Sequence, residues 1–212
     1  YMVSMGFGYP LGVDLPGEKR GMIPNDKYYD KNYRGSWNGL TIISISIGQG
    51  EVTATPLQIA NLGATIANRG YFITPHVVKE VEDEPLDTIY TTKRYTKVRK
   101  EHYETVVEGM RAAVTGGTCR AANLPGLDVC GKTGTAQNRG KDHSAFMGFA
   151  PMNNPQIAVA VYVENGGWGA TYGVPIGALI MEKYLKGTLS PESEMKATDI
   201  QNRRIDYGIH ER

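Results

Sequence analysis

The 212-residue chain lacks a long apolar run, a metal-ligand cluster and any appreciable net charge. Its longest uninterrupted apolar stretch, residues 157–163 (IAVAVYV), is far short of the roughly 18 residues a membrane helix requires and suits a strand. Lys and Arg total 23 against 22 Asp and Glu, a formal charge of +1. That balance excludes a generally basic nucleic-acid binder and an acidic tail protein. Cysteine is scarce. Cys119 and Cys130 allow one disulfide or two buried free thiols, and no CxxC occurs. His76, His102, His143 and His210 are scattered without ligand spacing, which argues against a metal site. Hydrophobic content of 41% and nearly cancelling charges exclude disorder. No leader or anchor is visible, and the sequence opens on Tyr1. The expectation is therefore a piece of a longer protein, whose location a missing anchor does not decide.

Glycine, by contrast, is plentiful at 26 residues. Residues 1–40 hold Gly6, Gly8, Pro10, Gly12, Pro16, Gly17, Gly21 and Pro24, which break every periodicity and predict a long ordered loop region. Residues 41–47 (TIISISI) alternate like a short strand. Thr55, Pro56 and Gln58 form an N-terminal helix signature, followed by an apolar stripe through Leu57, Ile59, Leu62, Ile66 and Ala67. Gly70 suits a left-handed stop. Residues 71–82 read as a strand interrupted by Pro75. A second helix is predicted over 97–114, with Tyr103, Val106, Val107, Met110 and Val114 on one face, and a helical turn over 118–123. Three strands follow, at 129–137, 144–151 and 156–163, joined by turn signals as an antiparallel meander. A glycine-rich loop (164–173), a helix (174–185) and a polar, frayed tail from Ser190 complete the chain. Helices, a meander and a closing helix give an α+β fold.

The cluster Gly131-Lys132-Thr133-Gly134-Thr135 carries the chemistry. Gly126 to Thr133 fits GxxxxGK[ST] letter for letter, but a phosphate loop needs a strand before its first glycine and a helix after its Lys-Thr. Neither is predicted here. The other reading places Lys-Thr-Gly on a strand edging a cleft. There Lys132 supplies a cation, Thr133 and Thr135 donate hydroxyl hydrogen bonds, and Gly134 admits a ligand to the backbone.

Five blocks decide between them: GQGEVTATPLQIANLGATIANRG (48–70), VVEGMRAAVTGGT (106–118), GKTGTAQN (131–138), FMGFAPMNNPQIAVAVYVENGG (146–167) and the closing DYGIHER. In this order the chain resembles the elongation-type class B penicillin-binding transpeptidases, the penicillin-binding protein 2 family, over nearly its whole length. The resemblance implies a penicillin-binding, serine β-lactamase-like transpeptidase fold, incomplete here, with residues 1–212 as the C-terminal portion of one domain. It implies D,D-transpeptidation of peptidoglycan stem peptides ending in D-Ala-D-Ala, through an acyl-serine intermediate. It assigns Lys132, Thr133, Gly134 and Thr135 to substrate, with Lys132 and Thr135 catalytic and the Thr135 N–H forming half of an oxyanion hole. No metal or organic cofactor is implied. The implied partners are the stem peptide, β-lactams and a membrane glycan polymerase of the elongation machinery. The implied location is the periplasmic side of the inner membrane, with an anchor upstream.

The family reaction also needs a nucleophilic Ser in Ser-x-x-Lys and a facing Ser-x-Asn, both upstream of Lys-Thr-Gly. Ser193-Glu-Met-Lys196 fits the first pattern but follows the motif, in the polar tail. Ser36-Trp-Asn38 fits the second but falls past the family's position. The expectation is one wall of an active site without its nucleophile. Two of five sheet strands would then be missing, so a marginally stable or self-associating chain is expected. Two other classes stay open: a penicillin-recognising sensor without turnover, and a serine β-lactamase relative. The loop 164–173 reads either as a mobile lip presenting Trp168 to substrate or as a plain connection. The basic run 93–100 reads as a solvated face or as a contact for anionic glycan or lipid.

Overall fold

The structure, a computed structural model, describes residues 1–205. In chain order its elements are helix α1 (Asp26–Tyr33), helix α2 (Pro56–Ala67), strand β1 (Tyr71–Phe72), strand β2 (Arg94–Tyr95), helix α3 (Glu101–Thr115), strands β3 (Cys130–Ala136), β4 (His143–Ala150) and β5 (Ile157–Val163), and helices α4 (Gly173–Lys186) and α5 (Pro191–Asn202). Short 3-10 turns lie at Met2–Met5, Ile43–Ile47, Thr88–Tyr90 and Arg120–Ala122.

The meander forms as its turn signals predict. Strands β3, β4 and β5 pair antiparallel in sequence order, with Lys132 opposite Met147, Thr133 opposite Phe146 and Thr135 opposite Ser144. Alternation along β4 sends Phe146 to one face and Met147 and Phe149 to the other. On the first face Phe146, Val129 and Val159 pack with Val174, Ala178 and Met181 of α4. On the second, Phe149 and Cys130 pack with Ile66 and Ala67 of α2 and with Tyr103, Val107 and Met110 of α3. The sheet is thus the middle layer between two helical layers.

Helix α2 starts as its sequence dictates. Thr55 Oγ1 accepts from Gln58 N at 3.1 Å, and Gln58 Oε1 accepts from Thr55 N at 3.0 Å. Its stop is a Schellman motif: Arg69 N donates to Ile66 O and Gly70 N to Thr65 O. Arg69 itself holds the left-handed position, with φ of 56°. Gly70 is needed for a second reason, since a Cβ there would meet the Tyr103 ring at 2.8 Å.

The N-terminal loop is ordered by buried side chains instead of ladders. Gln58, fully buried, directs Nε2 at the carbonyls of Gly6, Tyr9 and Arg20 within 3.0–3.2 Å. Asn61 Nδ2 donates to Met5 O, and the Glu18 carboxylate accepts from the N–H groups of Leu11, Gly12 and Val13. These bonds satisfy backbone groups that have no strand partner.

Five expectations are corrected. Residues 26–33, inside the presumed loop, form α1, which Asn25 caps by accepting from Tyr28 N at 3.0 Å. Residues 41–47 are turn and 3-10 backbone with Ile43 and Ile47 exposed, because their alternation finds no neighbouring strand. Only Tyr71–Phe72 of the 71–82 stretch is a strand, paired with Arg94–Tyr95. The polar tail carries α5, started by Ser190, whose hydroxyl accepts from Ser193 N, with Pro191 at the first position. Helix α3 begins at Glu101, and Val106 of its predicted apolar face is 45% exposed. Residues 206–212 of the expected tail, with the DYGIHER block and His210, lie outside the described residues.

Candidate active site

Lys132, Thr133, Gly134 and Thr135 all sit on β3 and are exposed or half-buried. Lys132 and Thr133 are therefore mid-strand and do not open a helix, which removes the phosphate-loop geometry. Among the described residues β3 pairs with β4 alone, so its outer edge is open. Two contacts mark which groups emerge there. Lys132 Nζ donates to Thr133 O at 3.0 Å, and Gln49 Nε2 donates to Thr135 O at 3.3 Å. In an antiparallel strand the N–H and C=O of one residue point the same way, and residues two apart share an edge. The Thr133 and Thr135 amides thus face that edge beside their carbonyls, the Thr133 amide against the buried Cys119 thiol. Lys132 has no carboxylate partner among the described residues, leaving its cation available.

The motif's neighbours hold it in place. Thr133 Oγ1 and Thr118 Oγ1 share a 2.8 Å hydrogen bond. Gly169 closes over the strand: a Cβ there would meet Gly134 O and Ala145 O at 2.6 Å. Its N–H lies 3.5 Å from Thr135 Oγ1. Ser144, fully buried opposite Thr135, donates to Trp168 O at 2.8 Å and accepts from Gly173 N at 3.0 Å. Thr118, Gln49, Ser144 and Gly169 were not picked out as site residues from sequence. Thr118 and Gln49 fall within the resemblance blocks, which is the signal that was available; Ser144 and Gly169 fall outside them.

Both cysteines are free and fully buried. Burial pushes the Cys130 thiol up to about 11, against the pull of the Arg111 and Arg69 charges. Burial likewise raises Cys119, opposed by hydrogen bonding with Thr118 and the Thr133 backbone. Neither is an activated nucleophile.

The two serine patterns take structural roles. Ser193 is 1% exposed on α5. Burial pushes the Glu182 carboxyl up, but Lys186, 3.3 Å away, and the neighbouring hydroxyls of Ser193 and Ser190 outweigh it and leave it below its usual value. Lys196 pairs with Glu192 at 2.7 Å, not with Ser193. Ser36 and Asn38 are exposed in a turn, where Asn38 Oδ1 accepts from Leu40 N and Trp37 Nε1 donates to Asp30. The basic run is partly structural as well. The Arg94 guanidinium reaches Leu11 O and stacks on Tyr9 and Phe72, and Lys93 lies over Tyr71.

Comparison with known proteins identifies what the chain is similar to. Residues 1–185 match the penicillin binding protein transpeptidase domain. The peptidoglycan D,D-transpeptidase MrdA of Acinetobacter baumannii is 36% identical over 198 residues, covering 81% of this chain and 28% of that protein. The crystal structure of Pseudomonas aeruginosa PBP2 in complex with WCK 5153 superposes with a TM-score of 0.78 at 37% identity, over 90% of this chain and 43% of that one. A peptidoglycan synthase complex, solved to show how polymerization and crosslinking are coordinated, contains a chain matching at a TM-score of 0.73 and 31% identity, over 88% of this chain and 32% of that one. The chain spans 28% to 35% of the length of the first curated relatives it matches.

Proposed function

The chain belongs to the penicillin-binding protein transpeptidase family, and from that premise we propose that it is the Lys-Thr-Gly-bearing C-terminal part of a peptidoglycan D,D-transpeptidase. The observation that carries this is the edge of β3, where a lysine without an acidic partner among the described residues, two threonine hydroxyls and the outward Thr135 amide are gathered on four consecutive residues.

In the reaction, an acyl donor ending in D-Ala-D-Ala lies along β3 and pairs with its edge. Its terminal carboxylate meets the Lys132 cation and the hydroxyls of Thr133 and Thr135. A serine supplied by an upstream Ser-x-x-Lys attacks the carbonyl between the two D-Ala residues. The developing oxyanion accepts from the Thr135 N–H, which the β3–β4 pairing holds in place before reaction. The serine's proton passes to the departing D-Ala amine, and an amine of a neighbouring stem peptide then takes the acyl group and returns a proton to the serine oxygen. Penicillins acylate the same serine. A location on the periplasmic side of the inner membrane, an upstream anchor and a membrane glycan polymerase as partner belong to this proposal; the synthase complex above supports the last. No helix among the described residues is long and apolar enough to cross a membrane.

The test is release of D-Ala from a pentapeptide ending in D-Ala-D-Ala by the full-length protein, with and without prior penicillin treatment. Release that penicillin abolishes, and that Lys132→Ala reduces, is the expected result. A protein that binds penicillin without any release or transfer would instead be a sensor. Fast recovery from penicillin, by hydrolysis of the acyl-enzyme, would mark a β-lactamase relative.

A further inference from the structure

The turn between α3 and β3 grips one motif residue at both of its polar groups. Thr118 Oγ1 lies 2.8 Å from Thr133 Oγ1, and the adjacent Cys119 sets its buried thiol against the Thr133 N–H. The turn itself is fixed. Cys119 N donates to Ala113 O at 2.9 Å, closing the end of α3. A Cβ on Gly117 would stand 2.8 Å from Ala113 Cα, so the chain passes too close to the helix for any side chain there. Cys119 then packs in the core with Val114, Ala122 and Val129. Thr118, by contrast, is exposed, so its bond to Thr133 forms at the protein surface.

Hydrogens and lone pairs decide what this pair can do. Thr133 Oγ1 carries one hydrogen and two lone pairs. Lys132 Nζ, 3.4 Å away, can only donate, and so takes one lone pair. Thr118 can donate or accept. When it donates, both lone pairs of Thr133 Oγ1 are filled, and its hydrogen is free for an acceptor outside the protein. A carboxylate is such an acceptor. Its charge selects the chain from Thr118 to Thr133 to carboxylate, in which each bond polarises the next.

We infer that Thr118 is a positioning residue: through its own hydroxyl it holds the Thr133 hydroxyl as a donor towards the terminal carboxylate of the acyl donor. The inference rests on the transpeptidase reading and adds to it a residue outside the Lys-Thr-Gly motif. Cys119 completes the grip by occupying the Thr133 N–H, so the hydroxyl is the one group of Thr133 left to a carboxylate.

The experiment measures, by intact mass, the rate constant for acylation of the full-length protein by benzylpenicillin, which carries a carboxylate. Thr118→Val removes the hydroxyl and should lower the rate constant about threefold to tenfold, the scale of one hydrogen bond. Thr118→Ser, which returns the hydroxyl, should bring it back to within about twofold of wild type. In a Thr133→Val background, Thr118→Val should have no further effect, because the group it acts through is gone. An unchanged rate in Thr118→Val, or no rescue by Thr118→Ser, would overturn the inference. So would the same loss in both backgrounds, since Thr118 would then act on the ligand or the fold by itself. Each of these leaves the transpeptidase reading standing. A wild-type protein that benzylpenicillin does not acylate overturns both.

Discussion

Phe146 sits where three glycines leave room for it, and that slot sets a quantitative expectation for Gly177→Ala. A Cβ on Gly177 of α4 would stand 2.5 Å from Phe146 Cε1, about 1 Å inside ordinary carbon contact. The ring has nowhere to go. A Cβ on Gly131 would meet its Cε2 at 2.5 Å, and one on Gly148 its Cζ at 2.6 Å, so those backbones wall the opposite side. Two effects compete. Alanine in a helix interior gains about 1 kcal/mol over glycine. Overpacking a filled core costs about 1–3 kcal/mol, and here the obstacle is a ring only 1% exposed. The second should win, for a net loss of about 1–2 kcal/mol, or a melting temperature about 2–8 °C lower. Urea unfolding followed by circular dichroism reads the change as a lower midpoint at constant slope. The same alanine in a Phe146→Leu background should cost less or become stabilising, a coupling of about 1 kcal/mol. If Gly177→Ala raises the midpoint in the native background, the slot is not filled as described and the packing argument fails. Because Phe146 lies opposite Thr133, the same substitution should also disturb β3.

Thr55→Ala deletes the capping box of α2 and should cost about 1 kcal/mol in the same assay, whereas Thr55→Asp should restore most of it. Lys132→Ala should slow acylation of the full-length protein about tenfold to a hundredfold by removing charge-assisted hydrogen bonds, with the melting temperature unchanged; an unaltered rate would take Lys132 out of the site. Tyr29 and Tyr33 both donate to the Glu51 carboxylate, at 3.0 and 2.7 Å, and burial together with that bond pushes Tyr29 up to about 12. Its folded value lies above the unfolded one near 10, so its stabilisation is complete below about pH 10 and is lost as pH rises towards 12. Glu51 is lowered, chiefly by the Tyr33 hydroxyl, so its contribution is present above its ordinary value of 4.5 and is lost as pH falls through the lower folded value. Ultraviolet titration should find a phenol ionising last and absent from Tyr29→Phe; a wild-type curve without that late phenol would refute the pairing. Cys119 and Cys130 should resist an aromatic disulfide reagent at pH 8 until the chain is unfolded, and then both react; rapid native labelling of either would contradict their burial.

Sequence disclosed the parts governed by local rules. The capping box of Thr55 and Gln58, the stripe of α3 and the three turn-bounded strands are each written in neighbouring residues, so β3–β4–β5 and α2, α3 and α4 could be read directly. Residues 41–47 show the limit. Alternation marks a strand only if another strand lies beside it, and among the described residues none does, so Ile43–Ile47 closes into 3-10 turns. The loop over 1–25 depends on Gln58, Asn61 and Glu18, two of them more than 35 residues away, whose capacity to collect carbonyls or amides has no periodic signature. Helix α1 was hidden by its mean polarity, and the Asn25 cap was its one local sign. At the site, Lys132 to Thr135 were legible through the motif and its flanking blocks. Thr118, Ser144 and Gly169 were not, because the contacts that join them to β3 cross between elements.

Covalent labelling by a fluorescent penicillin tests the central claim most directly. It would be run on this chain alone and on the same chain extended upstream through the next Ser-x-x-Lys. A covalent adduct on the extended protein only, weakened by Lys132→Ala, is the predicted result, with β3 as one wall of a divided active site. An adduct on the short chain would put a nucleophile within these 212 residues and reopen Ser36 and Ser193. No adduct on either would contradict the account.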